Sequence, residues 1–210
     1  MFANACTFRM SRSVIQRGLM ALLGTLVVVA LMACSESKKN FASIDITGAG
    51  FGKDFSLVDA DGQTRTLANY KGQVVVLFFG YTQCPDVCPT TMSEVAEAKK
   101  LLGSKGEKVV GLFVTLDPER DTPALLKAYT ANFGPQIEGL HAASAEQLAA
   151  MAKDYRVYYK KVEGKNPGSY TLDHTAASFV YDTQGHLRLY TRYGQGAPSL
   201  ASDIATLLGS

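Results

Sequence analysis

The sequence predicts an α/β domain, and three features carry that reading. Residues 74–79 (VVVLFF) and 109–116 (VVGLFVTL) are continuous apolar runs rich in β-branched residues, as expected of strands buried on both faces. Between them, residues 90–102 carry apolar side chains at Met92, Val95, Ala96, Leu101 and Leu102 with charges elsewhere, the pattern of a helix laid on a sheet. Strand, helix and strand in that order predict a parallel βαβ unit, because a parallel connection needs a long crossover.

The first element is a targeting pattern. Arg9, Arg12 and Arg17 precede an uncharged apolar run at residues 19–31, the layout of a signal peptide. The run falls short of the roughly 20 residues that a bilayer span needs, which makes a permanent transmembrane helix the weaker reading. Leu31-Met32-Ala33-Cys34 then resembles the lipobox of bacterial lipoproteins, assigning residues 1–33 to a lipoprotein-type signal peptide and Cys34 to lipidation. The alternative is an ordinary signal peptide cut near Ala33, with Cys34 an incidental thiol. Residues 34–44 include the polar SESKKN and are expected to form a tether, with the folded domain at 45–210 and packing from near Gly52.

Three of the 21 lysines and arginines lie in residues 1–33, against none of the 19 acids, so the formal charge of +2 becomes −1 without that segment. No clustered basic face remains, which excludes a nucleic-acid surface. The rest of the chain is long enough for one well-buried domain.

Within that domain, residues 55–59 and 63–67 read as a hairpin around Asp61-Gly62. Asp121-Thr122-Pro123 opens a helix running to Phe133, and Ser144 with Gln147 resembles a capping box for a helix through Tyr155. Residues 157–162, 176–181 and 187–193 read as strands, and 199–208 as a C-terminal amphipathic helix.

The chemistry centres on GYTQCPDVCPT, residues 80–90, where Cys84 and Cys88 fall between the first buried strand and the following helix. Loops at the ends of such strands are where open α/β sheets bind ligands, and a helix N-terminus stabilises a thiolate. Spacing i,i+4 puts both sulfurs on one helix face, which permits a disulfide or a shared ion. Structural zinc wants four nitrogen or sulfur ligands; a thiolate pair with one imidazole suits copper better. The candidate imidazole is His174 in YTLDHT, with Asp173 placed to orient the ring. His141 and His186 read as solvated loop histidines. Tyr155, Tyr158 and Tyr159 read as lining a sheet or a partner surface. Asp117, in DPERDTP at the end of the second apolar run, is expected to border the cysteine loop, as a cap or with a direct role.

Together, FFGYTQCPDVCPTT, TLDPERDTP and LDHTAASFVYD resemble the signature blocks of the Sco/SenC family of copper-binding proteins, a similarity spanning about residues 45–208. The resemblance implies a thioredoxin-like fold with an added N-terminal β-hairpin, in a membrane-tethered domain on the periplasmic side. It further implies help in building the binuclear copper site of cytochrome c oxidase subunit II. The family's copper ligands match Cys84, Cys88 and His174, holding Cu(I) or Cu(II), and its acidic loop residue matches Asp117. Asp86 and Asp173 are expected to support the site or touch a partner. Gln83 departs from the histidine that many relatives carry there, which bears on tuning rather than ligation. The expected role is that of a copper chaperone rather than an enzyme, with the oxidase subunit, a periplasmic thiol reductase and a further copper donor as partners. Inner versus outer membrane stays open. The alternative is a thiol-disulfide oxidoreductase that keeps the oxidase's cysteines reduced; a peroxidase reading based on Thr82 explains neither Cys88 nor His174.

Overall fold

The structure is a computed structural model that describes residues 40–209; the expected signal peptide, Cys34 and most of the tether lie outside those residues. Its strands are β1 (Ile44–Asp45), β2 (Leu57–Asp59), β3 (Thr64–Arg65), β4 (Val74–Gly80), β5 (Val109–Thr115), β6 (Ile137–His141), β7 (Tyr159–Glu163), β8 (Tyr170–His174), β9 (Ala177–Tyr181) and β10 (Leu187–Arg192). The helices are α1 (Val87–Leu101), α2 (Pro123–Ala131), α3 (Ala145–Asp154) and α4 (Ala197–Leu208). Among the described residues no helix is long and apolar enough to cross a membrane.

Eight strands form one sheet in the order β1-β10-β9-β4-β5-β6-β2-β3. Strands β4, β5 and β6 run parallel, and the other pairs are antiparallel. Every residue of β4 and β5 is buried, which is why both read as unbroken apolar runs. Helices crossing between parallel central strands, with an antiparallel β9–β10 pair beyond them, make the fold thioredoxin-like, and β2–β3 is the added hairpin. Behind the sheet, Phe79, Tyr155 and Phe179 meet edge to face at 5.1–6.1 Å. There the Tyr155 and Tyr181 hydroxyls share a buried hydrogen bond of 2.5 Å, so Tyr155 is a core residue, whereas Tyr158 is exposed.

Several boundaries differ from expectation for physical reasons. The body begins upstream of Gly52: the backbone amides of Ala42 and Ser43 donate to the two carboxylate oxygens of Asp203, each at 2.8 Å, and Ile44 then pairs with Tyr190. Asp203 is itself buried in α4, so satisfying its charge recruits the incoming segment. Strand β6 was hidden by Glu138 and Gly139. Glu138 accepts from the Tyr70 hydroxyl at 2.8 Å, and a Cβ at Gly139 would stand 2.9 Å from that of Leu126, so both interruptions serve packing. His141 therefore ends a strand, half-buried, rather than lying in a solvated loop. Thr122 caps α2 through its hydroxyl, which accepts from Leu125 at 3.3 Å, leaving Asp121 free for another task. Ser144 caps α3, but the Gln147 side chain reaches back to the Ala143 amide.

Candidate metal centre

Helix α1 starts at Val87, earlier than the periodicity alone suggested, and so takes Cys88 into its first turn. Cys88, Met92 and Val95 follow at i, i+4 and i+7 along the buried face, against the end of β4. Gly80 makes room for this: a Cβ there would lie 2.9 Å from the Cys88 sulfur and 2.8–2.9 Å from the rings of Phe113 and Phe78. Cys84 sits in the turn before the helix, where its amide donates to the Tyr81 carbonyl at 3.2 Å. Its own sulfur accepts from the Cys88 amide at 3.3 Å. A sulfur in that position caps one of the helix's unpaired amides, as a side-chain oxygen does in other helices.

His174 arrives from the other side, at the end of β8. Strands β7 and β8 form a two-stranded ribbon apart from the main sheet, and the polar composition of YTLDH hid β8 from a reading by hydropathy. The imidazole stands edge-on between Phe78 and Tyr81, each 5.9 Å away. Its Nδ1 lies 3.1 Å from the Thr175 carbonyl oxygen. A carbonyl only accepts, so Nδ1 carries the proton, which leaves Nε2 with its lone pair 3.4 Å from the Cys88 sulfur. The ring is thus oriented by Thr175 rather than by the Asp173 carboxylate, which is exposed.

Among the described residues, Cys84, Cys88 and His174 form the group able to hold a metal, their ligand atoms all within 4.8 Å of one another. Both cysteines are free. Cys84 is drawn down to about 4, first by hydrogen bonding from the Cys88 thiol, against burial, with further help from the backbone at Cys88 and Asp86. The Cys88 thiol is pushed up by that same thiolate and by burial. The pair therefore carries one proton between its two sulfurs near neutral pH, half-way to the two thiolates that a soft cation would hold.

Two buried carboxylates frame this centre. Asp121 accepts from the Thr82 amide at 3.0 Å, the Thr82 hydroxyl at 2.5 Å and the Thr115 hydroxyl at 2.6 Å, pinning the cysteine loop to the end of β5. This engagement also occupies the hydroxyl of the peroxidase reading. Asp117 borders the loop as expected, and it pairs with Arg120 and accepts from the Tyr170 hydroxyl at 2.8 Å. Arg120, Asp121 and Tyr170 were not singled out as site residues from sequence, because DPERDTP reads as a capping motif and Tyr170 falls in a polar stretch assigned to no element. Asp86 and Asp173 are both exposed on the rim of a cleft of about 320 Å³ bordered by Cys84 and His174. His186 is exposed beside Asp182 and is not part of the Cys84, Cys88 and His174 group.

Residues 45–209 match the family model described as SCO1/SenC. The chain is 38% identical over 148 residues to the mitochondrial protein SCO2 homolog of Bos taurus, covering 70% of this chain and 54% of that one. It is 33% identical over 135 residues to the SCO2-like protein of Rickettsia felis, covering 64% and 65%. It thus spans between about half and two thirds of the length of these curated relatives. Among solved structures, ScoI of Bradyrhizobium japonicum with copper bound is similar at 39% identity and a TM-score of 0.67, covering 75% of this chain and 99% of that one. The corresponding values for Arabidopsis thaliana ScoI with copper bound are 31%, 0.70, 76% and 99%. With a family match over most of its length and the three-ligand cluster in place, the chain belongs to the SCO1/SenC family.

Proposed function

We propose that this protein is a copper metallochaperone that holds copper through Cys84, Cys88 and His174 and hands it to the binuclear copper site of cytochrome c oxidase subunit II. The observation that carries the reading is the convergence of two sulfurs and an imidazole nitrogen within 4.8 Å, in a chain similar to structures with copper bound. The donor set selects copper on chemical grounds: thiolates favour Cu(I), and the imidazole adds a ligand suited to Cu(II). Three ligands beside an open cleft leave room for an incoming thiolate or imidazole, so copper transfers by ligand exchange without first being released to water. Here copper is the cargo, not a resident cofactor.

The same reading places the domain on the periplasmic side of a membrane, held by lipid on Cys34 after removal of residues 1–33. Support comes from the arginines and apolar run ahead of Leu31-Met32-Ala33-Cys34. Mass spectrometry of the mature N-terminus with membrane fractionation tests it: a diacylated Cys34 in the membrane fraction is expected, and an unmodified soluble chain starting elsewhere contradicts it. In an oxidising compartment the free pair requires a thiol reductase, and loading requires a copper donor.

The depressed Cys84 thiol favours a second reading, a thiol-disulfide oxidoreductase. The Cys84 thiolate would attack a partner disulfide, releasing one partner thiolate; Cys88 would then displace the second, leaving the partner reduced by two electrons and the pair oxidised. An external thiol reductase would return those electrons. Cells lacking this protein separate the readings when complemented with His174→Ala in low copper. The chaperone reading expects oxidase activity to stay lost, whereas full rescue would favour the oxidoreductase.

A further inference from the structure

The ribbon that carries His174 lies apart from the main sheet. Among the described residues strands β7 and β8 pair only with each other, and an isolated two-stranded ribbon is marginal by itself. Tyr170, Leu172 and His174 alternate along β8 and so share one face; Leu172 is buried on it. At the far end of that face from His174, Arg120 joins three segments at once. Its Nε pairs with Asp117. Its Nη1 donates to the Tyr170 carbonyl at 2.9 Å and to the Gln83 side-chain carbonyl at 3.2 Å. The guanidinium also stacks on the Tyr170 ring, 3.5 Å from the centroid, and faces that of Tyr81 at 5.8 Å. Asp117 closes the circuit by accepting from the Tyr170 hydroxyl. The Lys161–Glu119 pair also links ribbon to body, but both side chains are exposed, where such pairs contribute little.

We infer that Arg120 is a positioning residue: its guanidinium latches the β7–β8 ribbon to the cysteine loop and thereby sets where the His174 imidazole stands. Only arginine suits the place, because a planar fork reaches several acceptors while stacking on an aromatic ring, and a lysine ammonium does not. The Nη2 group is buried with no partner among the described residues. An unpaired buried donor is costly, and a side chain that merely covered the surface would turn to relieve it. The functional consequence rests on the copper reading above, but the latch belongs to the metal-free chain and is tested there first.

In reduced, metal-free protein, Arg120→Leu is expected to speed amide hydrogen exchange at residues 170–174 by about tenfold or more, with β4 and β5 unchanged. Tyr170→Leu, at a partly exposed position, is expected to do the same and carries the test if Arg120→Leu does not fold. With Cu(II), Arg120→Leu is expected to weaken the nitrogen hyperfine signal of the imidazole and to lower affinity about 10- to 100-fold. In a His174→Ala background the same substitution should add less than about twofold, because both changes then remove one interaction. Arg120→Lys restores the Asp117 pair alone and is expected to leave most of the deficit. Unchanged exchange at 170–174 in both leucine variants overturns the latch. Native copper affinity in His174→Ala would instead overturn the copper reading, with the exchange result still deciding the latch.

Discussion

The two halves of the metal centre are built in opposite ways. Cys88 is fully buried, in a helix packed on a central strand, and Cys84 is 9% exposed in a loop pinned by Asp121. His174 stands on a ribbon outside the main sheet, and every residue of β7 after Tyr159 is exposed. The sulfur half belongs to the core, and its geometry shares the stability of the core. The imidazole half depends on a few side-chain contacts. Under the proposed carrier role, this asymmetry would let the sulfurs keep the cargo while the nitrogen gives way when an acceptor approaches.

Removing a sulfur therefore has the largest expected effect. Cys88→Ser and Cys84→Ser should each abolish stoichiometric copper binding in a titration of the reduced domain, and native affinity in both would break the contrast at its strong side. His174→Ala should cost less. We expect a loss of about 10- to 100-fold for Cu(II) and a smaller one for Cu(I), which the two thiolates retain; equal losses for both oxidation states would mean that the halves are not distinct.

Gly80→Ala sharpens the comparison without touching a ligand. Its methyl group would overlap the Cys88 sulfur and two phenylalanine rings, and overpacking of this kind costs about 1–3 kcal/mol. Urea denaturation should report that loss, accompanied by weaker copper binding. A fully stable variant would mean that the sulfur half yields more easily than its burial suggests.

The last expected effect is on pH dependence. With Cys84 at about 4 in the folded, reduced, metal-free protein, against an ordinary value of 9, the unfolded chain binds the extra proton between those limits. Stability is then fully present above pH 9, falls as pH drops, and is lost through pH 4; the slope is at most about 1.4 kcal/mol per pH unit. Cys88, pushed the other way, opposes this only above pH 9. Denaturation midpoints at pH 5, 6 and 7 should rise with pH in the native protein and rise less in Cys84→Ser. Parallel curves for the two proteins would contradict the assignment of the thiolate to Cys84.

The same asymmetry governs what could be read in advance. Cys84 and Cys88 fall in sequence between an apolar run and an amphipathic stretch, so local periodicity placed them at a strand end and a helix start. The central strands and helices were legible for the same reason. His174 was found as a candidate, but its approach was not, because β8 is polar and lies in a ribbon with β7. The frame of Arg120, Asp121 and Tyr170 escaped for a related reason: each acts on residues at least 37 positions away, at Gln83, Thr82 and Asp117, and no local pattern records such a contact. β6 and β1 were missed because Glu138, Gly139 and the short Ile44–Asp45 pair only make sense beside Tyr70, Leu126 and β10.

X-ray absorption on the Cu(I)-loaded domain tests the central claim most directly. Two sulfur scatterers and one imidazole nitrogen are expected for the native protein, and two sulfurs without the imidazole for His174→Ala. An unchanged copper environment in that variant, or a single sulfur in the native protein, would contradict the account.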